Sequence, residues 1–87
     1  MVKIILPAGW TMGRTEFEGS EGLLPDVIRQ FAQDNPIYGP RLLGPNSELL
    51  TYINVCIDDD LIMRNERASA TVPAGSTVVI TAPMAGG

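Results

Sequence analysis

Residues 77–82 read TVVITA, and the five that follow read PMAGG, from Pro83 to Gly87. Thr77, Val78, Val79, Ile80 and Thr81 are all β-branched, the composition of a strand that packs on at least one face. Pro83 cannot donate to a ladder, so the strand ends before it. Strict alternation places Val78 and Ile80 on one face and Thr77, Val79 and Thr81 on the other. Which strands receive this one decides the fold.

Three other strand candidates are legible. VKIILPA (Val2–Ala8) and RTEFE (Arg14–Glu18) flank the loop GWTMG and read as a hairpin. YINVCID (Tyr52–Asp58) alternates, with Ile53, Val55 and Ile57 on one face, and LIMR (Leu61–Arg64) can add a short edge strand. Between them lies one clear helix. Leu24, Val27, Ile28 and Phe31 stand at i, i+3, i+4 and i+7, a single apolar stripe that predicts a helix over Leu24–Asp34. Pro25 fits its first turn, Asp26 suits its positive end, and Asn35-Pro36 stops it. Residues 37–50 carry Gly39-Pro40 and Gly44-Pro45 and read as a loop or short turns; residues 66–72 (ERASATV) fit either a strand or irregular chain; Pro73–Ser76 reads as a turn.

Hairpin, helix, strand, edge piece and final strand, with one helix covering one face of a mixed sheet, is an α+β design. The final strand belongs beside the first, and that pairing must be parallel, because the connection carries the helix and most of the chain. This is the β-grasp arrangement, with four to five strands packed on one main helix. The expected organisation is one domain over residues 1–82 and a flexible tail over 83–87.

The 87 residues include six basic and ten acidic side chains, a net charge of −4. That balance argues against nucleic acid as a partner, which needs a basic surface, and suits a small soluble protein that docks on a basic one. No apolar run approaches the roughly 20 residues of a membrane span. MVKIILPAGW is too short, and lacks the cleavage pattern, for a signal peptide, so a cytoplasmic location is expected. Cys56 is the only cysteine, which excludes a disulfide framework and a four-thiolate metal or iron–sulfur site.

The catalytic inventory is thin. There is no histidine to act as general base, and the glycines of PAGWTMG lack the order of a phosphate-binding loop. Asp58, Asp59 and Asp60 are adjacent and point in different directions, so they read as a solvated turn rather than a metal site. Cys56 sits in a strand with nothing to activate it and reads as structural. These absences point away from an enzyme and toward a protein that takes part in chemistry as a substrate or carrier. If Ile4, Leu6, Val78 and Ile80 pack on the helix, alternation turns Ile5, Cys56, Thr77, Val79 and Thr81 outward as a modest apolar patch. Trp10, in the first loop, is expected to pack over the end of the core.

Taken together, the hairpin and helix, YINVCIDDDLIMR, and the ending VPAGSTVVITAPMAGG resemble the small ubiquitin-like sulfur carriers of the ThiS/MoaD family over nearly the whole length. The likeness is greatest to carriers of cysteine or secondary-metabolite biosynthesis. Its most specific part is Gly75, an apolar strand, Pro83, an aliphatic residue, then Ala85, Gly86 and Gly87. There are departures: Gly75-Ser76 stands where Gly-Asp is common, Leu23-Leu24-Pro25 replaces a threonine near the helix start, Met84 replaces a valine-like residue, and residues 65–70 match poorly. The resemblance implies a non-enzymatic carrier with no bound cofactor or metal. An ATP-dependent, E1-like partner would adenylate the Gly87 carboxylate, which would become a thiocarboxylate and give its sulfur to a biosynthetic enzyme making molybdopterin, thiamine, cysteine or a secondary metabolite. Pro83, Met84, Ala85, Gly86 and Gly87 would thread the partner's active site. Ile5, Cys56, Val79 and Thr81 would form the docking patch, and Arg64, a recurring arginine of that group, would contact a partner or pair with the Asp run. The free protein is expected to be monomeric. Two other readings stay open: a protein modifier joined to lysines through Gly87, and a binding module with an inert tail.

Overall fold

A computed structural model describes residues 1–82. The expected tail, Pro83, Met84, Ala85, Gly86 and Gly87, lies outside the described residues. The elements in chain order are β1 (Val2–Ile5), a short helical turn α1 (Ala8–Thr11), β2 (Glu16–Gly19), β3 (Gly22–Leu23), α2 (Leu24–Asp34), α3 (Gly39–Leu42), β4 (Asn54–Ile57), β5 (Asp60–Ile62), β6 (Thr71–Val72) and β7 (Thr77–Thr81). The main sheet has five strands in the order β2-β1-β7-β4-β5. β7 runs parallel to β1, with Ile4 opposite Val78, and antiparallel to β4, with Val55 opposite Ile80. This is the ubiquitin-like β-grasp, α+β with a mixed sheet, and the strand at 77–82 holds its centre as the alternation required.

The helix has the bounds that its stripe predicts, and Leu24, Val27, Ile28 and Phe31 are all buried. They meet Val2, Ile4 and Leu6 from the first strand segment, Val55 and Ile57 from β4, and Val78 and Ile80 from β7. Full burial of one such aliphatic side chain contributes about 1.5–3 kcal/mol. No side chain caps the start of α2; instead the Leu24 N–H donates to the Ala70 carbonyl at 2.8 Å. A tertiary contact thus satisfies one of the helix's orphan N–H groups.

The structure corrects several expectations. β1 ends at Ile5 rather than Ala8, although the Leu6 N–H still donates to Thr15 at 3.0 Å. Pro7 then turns the chain, and the expected loop at Gly9–Gly13 begins as the α1 turn, with Trp10 N–H donating to Pro7 and Met12 N–H to Ala8. The second strand is shifted to Glu16–Gly19 from Arg14–Glu18. Residues 37–50 contain α3, whose Leu42 is wholly buried. The ambiguous 66–72 segment resolves into β6, which pairs with β3 as a second, two-stranded sheet. Both calls depended on distant partners that local propensity does not contain. Trp10 packs against the edge of the core as expected, beneath the Arg41 guanidinium at 5.6 Å from its ring centre.

Gly75 is the turn position that needs glycine. Its φ of +85° lies in the left-handed region, and a Cβ there would meet no atom within 4 Å. Gly75→Ala should therefore cost about 1–2 kcal/mol through backbone strain alone. Urea unfolding followed by far-UV circular dichroism measures it; an unchanged midpoint would refute the strain.

Candidate functional site

The outward face of the main sheet is built row by row from the strand registers. In the middle row, Ile5 stands opposite Val79, Val79 opposite Cys56, and Cys56 opposite Leu61. Four apolar side chains thus lie side by side across β1, β7, β4 and β5, a row spanning about 15 Å at the usual strand spacing. Glu16 of β2, opposite Ile5, closes one end of the row. Leu61 closes the other and is 54% exposed. The row on one side is polar, with Glu18, Lys3 and Thr77 in register. On the other side Thr81 faces Asn54, one residue before the end of the described chain.

The structure brings Ile5, Cys56, Val79 and Thr81 onto one face, as alternation predicts. Ile5, Cys56 and Val79 are half-buried and Thr81 is exposed. Their buried neighbours Ile4, Val55, Val78 and Ile80 all turn the other way, into the core. Leu61 completes the row, and its place was readable from the alternation of LIMR once β5 is paired with β4. Cys56 is a free thiol within this apolar surface.

Arg64 lies off the row, in the single 3₁₀ turn that follows β5. It is exposed and, among the described residues, makes no ion pair with the acidic run; the ion pairs there are Lys3–Glu16 and Arg29–Asp26, each at 3.7 Å. The run itself closes the β4–β5 turn. Asp58 takes a left-handed φ of 55°, its N–H donates to the Thr77 carbonyl at 2.7 Å, and its Oδ1 accepts the Thr77 N–H at 3.1 Å. The turn and Arg64 stand at opposite ends of β5, which is why they do not meet.

Arg67 was not legible in the sequence. It is only 8% exposed, and its guanidinium holds the crossover between α3 and β4 in place: Nη1 donates to the Leu50 carbonyl at 3.2 Å and Nη2 to that of Ile53 at 2.6 Å. Burial, and then the like charge of Arg64, hold its pKa below the ordinary arginine value. A charged residue in a segment without periodicity offers no sign that it will be buried, because arginine is almost never buried unless paired.

Solved structures share this fold. A chain of the crystal structure of the Amycolatopsis orientalis BexX/CysO complex superposes with a TM-score of 0.81 at 23% identity, over 100% of both chains. SAMP1 from Haloferax volcanii does so with a TM-score of 0.77 at 20% identity, over 99% of this chain and 98% of that one. Mycobacterium tuberculosis CysO, described as an antigen, gives 0.75 at 21% identity, over 97% of this chain and all of that one. No protein-family model matches the chain, and no curated protein matches it in sequence. At these identities the likeness establishes the fold, and it is the fold that the resemblance to ubiquitin-like sulfur carriers implied.

Arg67→Ala should leave the Leu50 and Ile53 carbonyls without their donor and cost roughly 1–3 kcal/mol. Chemical denaturation of the purified variant measures this; wild-type stability would show that water replaces the guanidinium without loss.

Proposed function

We propose that the protein is a sulfur carrier whose reactive group is the main-chain carboxylate of Gly87. The observation that carries this reading is the position of β7. It is the central strand, bonded on both sides, and its sequence runs from Thr81 and Ala82 directly into Pro83, Met84, Ala85, Gly86 and Gly87. A tail rooted in a central strand is held at a fixed place beside the apolar row, where a partner can grip the face and reach the tail together. The shared fold with CysO and SAMP1 supports the carrier class.

The chemistry needs activation. A carboxylate is a poor electrophile, so its oxygen attacks the α-phosphorus of ATP in the active site of an E1-like enzyme and displaces pyrophosphate. Sulfide then attacks the acyl carbon and expels AMP; a persulfide donor gives the same product once a thiol cleaves its S–S bond. The resulting thiocarboxylate is anionic at neutral pH and passes its sulfur to a biosynthetic enzyme. Glycine serves here because it has no Cβ, so the backbone threads a narrow channel and both faces of the carbonyl stay open. Pro83 fixes one φ and lowers the ordering cost of insertion. ATP is used by the partner, and this chain contributes no catalytic side chain and binds no cofactor. Ile5, Cys56, Val79 and Thr81, extended by Leu61, form the docking face, with Arg64 beside it. A free carrier of this kind acts as a cytoplasmic monomer.

A second reading has one observation in its favour. One solved relative of this fold is named small archaeal modifier protein 1, and a modifier shares the activation step while using a lysine as acceptor. The products separate the two: ATP-dependent, higher-mass conjugates mark a modifier, and a small-molecule sulfur acceptor marks a carrier.

Incubation with ATP, sulfide and the organism's adenylating enzyme should raise the intact mass by the difference between sulfur and oxygen. Deleting Gly87 should abolish the gain; a gain that survives the deletion would overturn the assignment, and activity retained without Gly87 would mark a passive binding module. Val79→Asp places a charge in the middle of the apolar row. It should slow adenylation at least tenfold, the size of one lost interface anchor, while the circular dichroism spectrum stays that of the wild type. An unchanged adenylation rate would remove the docking role of this face.

A further inference from the structure

A cleft of about 430 Å³ lies at the β5 end of the outward face, lined by Asn54, Leu61, Ile62, Met63, Arg64, Asn65 and Arg67. Its polar side chains are two guanidinium groups and two amides, and no acidic residue lines it. Glu66, the acid nearest in sequence, is committed elsewhere: its carboxylate accepts the Met63 N–H at 3.1 Å. Among the described residues neither arginine of the cleft has an ion-pair partner. Arg67 is more than nine-tenths buried, and its Nε–H is buried without a hydrogen-bond partner among the described residues. A buried cationic donor in this state is costly unless something completes it.

The surroundings narrow what that something is. Leu61 belongs both to the cleft and to the apolar row, so a protein surface that covers the row reaches the cleft without a gap. Asn54, also in the wall, pairs with Thr81 at the end of β7. The apolar side of the cleft suits a short aliphatic arm, and the guanidinium and amide groups suit a planar oxyanion that accepts several N–H donors at once. We propose that this cleft seats a carboxylate side chain, aspartate or glutamate, of the protein that engages the tail. The seat gives the docking face a polar, orientation-setting contact at one end of an otherwise apolar row. Like-charge repulsion from Arg64, which adds to the lowering of Arg67's pKa, is relieved when the anion enters. That the partner is the tail-engaging enzyme rests on the carrier reading above; the carboxylate seat itself does not.

The test is a nuclear magnetic resonance titration of the full chain with sodium acetate, set against sodium chloride and sodium phosphate at matched ionic strength. Acetate should shift the Arg67 Nε–H signal and the side-chain amides of Asn54 and Asn65 saturably. The response should be lost in Arg64→Gln and kept in Arg29→Gln, whose guanidinium pairs with Asp26 on α2. Equal shifts with chloride, or an unaltered response in Arg64→Gln, would overturn the seat. Tighter binding of phosphate than of acetate would overturn its assignment to a carboxylate. With the adenylating enzyme, Arg64→Gln should weaken complex formation roughly tenfold, the scale of one charge-assisted contact. Undiminished affinity would overturn the choice of partner. If the enzyme produces no thiocarboxylate while acetate still binds, the carrier reading fails and the seat stands.

Discussion

β7 is inserted between two strands that the chain makes much earlier, parallel to β1 and antiparallel to β4. Every other feature follows from that insertion. It turns Val78 and Ile80 onto α2, where Ile4 and Val55 already point, and so completes the core. By the same alternation it sets Val79 between Ile5 and Cys56, which makes an apolar row from residues that would otherwise be scattered across three strands. A shift of one residue in either register would exchange the two faces, exposing the core side chains and burying the threonines. The hydrophobic gain on one face therefore fixes the composition of the other.

Much of this was legible. The five β-branched residues of β7 and the stripe of α2 are strong local signals that agree with the tertiary structure, and local agreement with the global fold is what makes a sequence readable. The outward placement of Ile5, Cys56, Val79 and Thr81 followed from period-two alternation once the strands were assigned. The parts that were not legible are those decided by distant partners. Gly22-Leu23 and Thr71-Val72 are too short to show a period, and each is a strand only because the other pairs with it. Leu42 lies among glycines and prolines that signal turns, yet α3 folds back and buries it completely. Arg67 belongs to an unpatterned segment, and only the Leu50 and Ile53 carbonyls explain why a charge is tolerated there.

The absence of histidine and of an activated cysteine fits a chain whose reactive atoms are backbone. A side-chain catalyst needs a pocket that tunes its pKa, and a domain of this size has little interior to spare beyond one small core. A presented carboxylate needs only a rigid root and a grip for the enzyme that will act on it. The main sheet supplies both on neighbouring positions of the same strand, Val79 in the row and Thr81 at its end. Identities of 18–23% with the solved chains of this fold show how loosely the rest of the surface is constrained.

The central place of β7 also has a consequence for biosynthesis. During translation β1, β2, α2, β4 and β5 emerge first, yet the sheet they form lacks its middle strand, and Ile4 and Val55 have no neighbour across the gap. Pairing of the first and last strands is the most non-local contact a chain can make, and such contacts close late. The domain therefore cannot complete its core on the ribosome until β7 has been released. A nascent or prematurely terminated chain exposes two unpaired strand edges and an open apolar face, the features that chaperones bind and that aggregate when left alone. Folding and completion of synthesis are thus joined in one event, so only a finished chain offers a structured root for its tail.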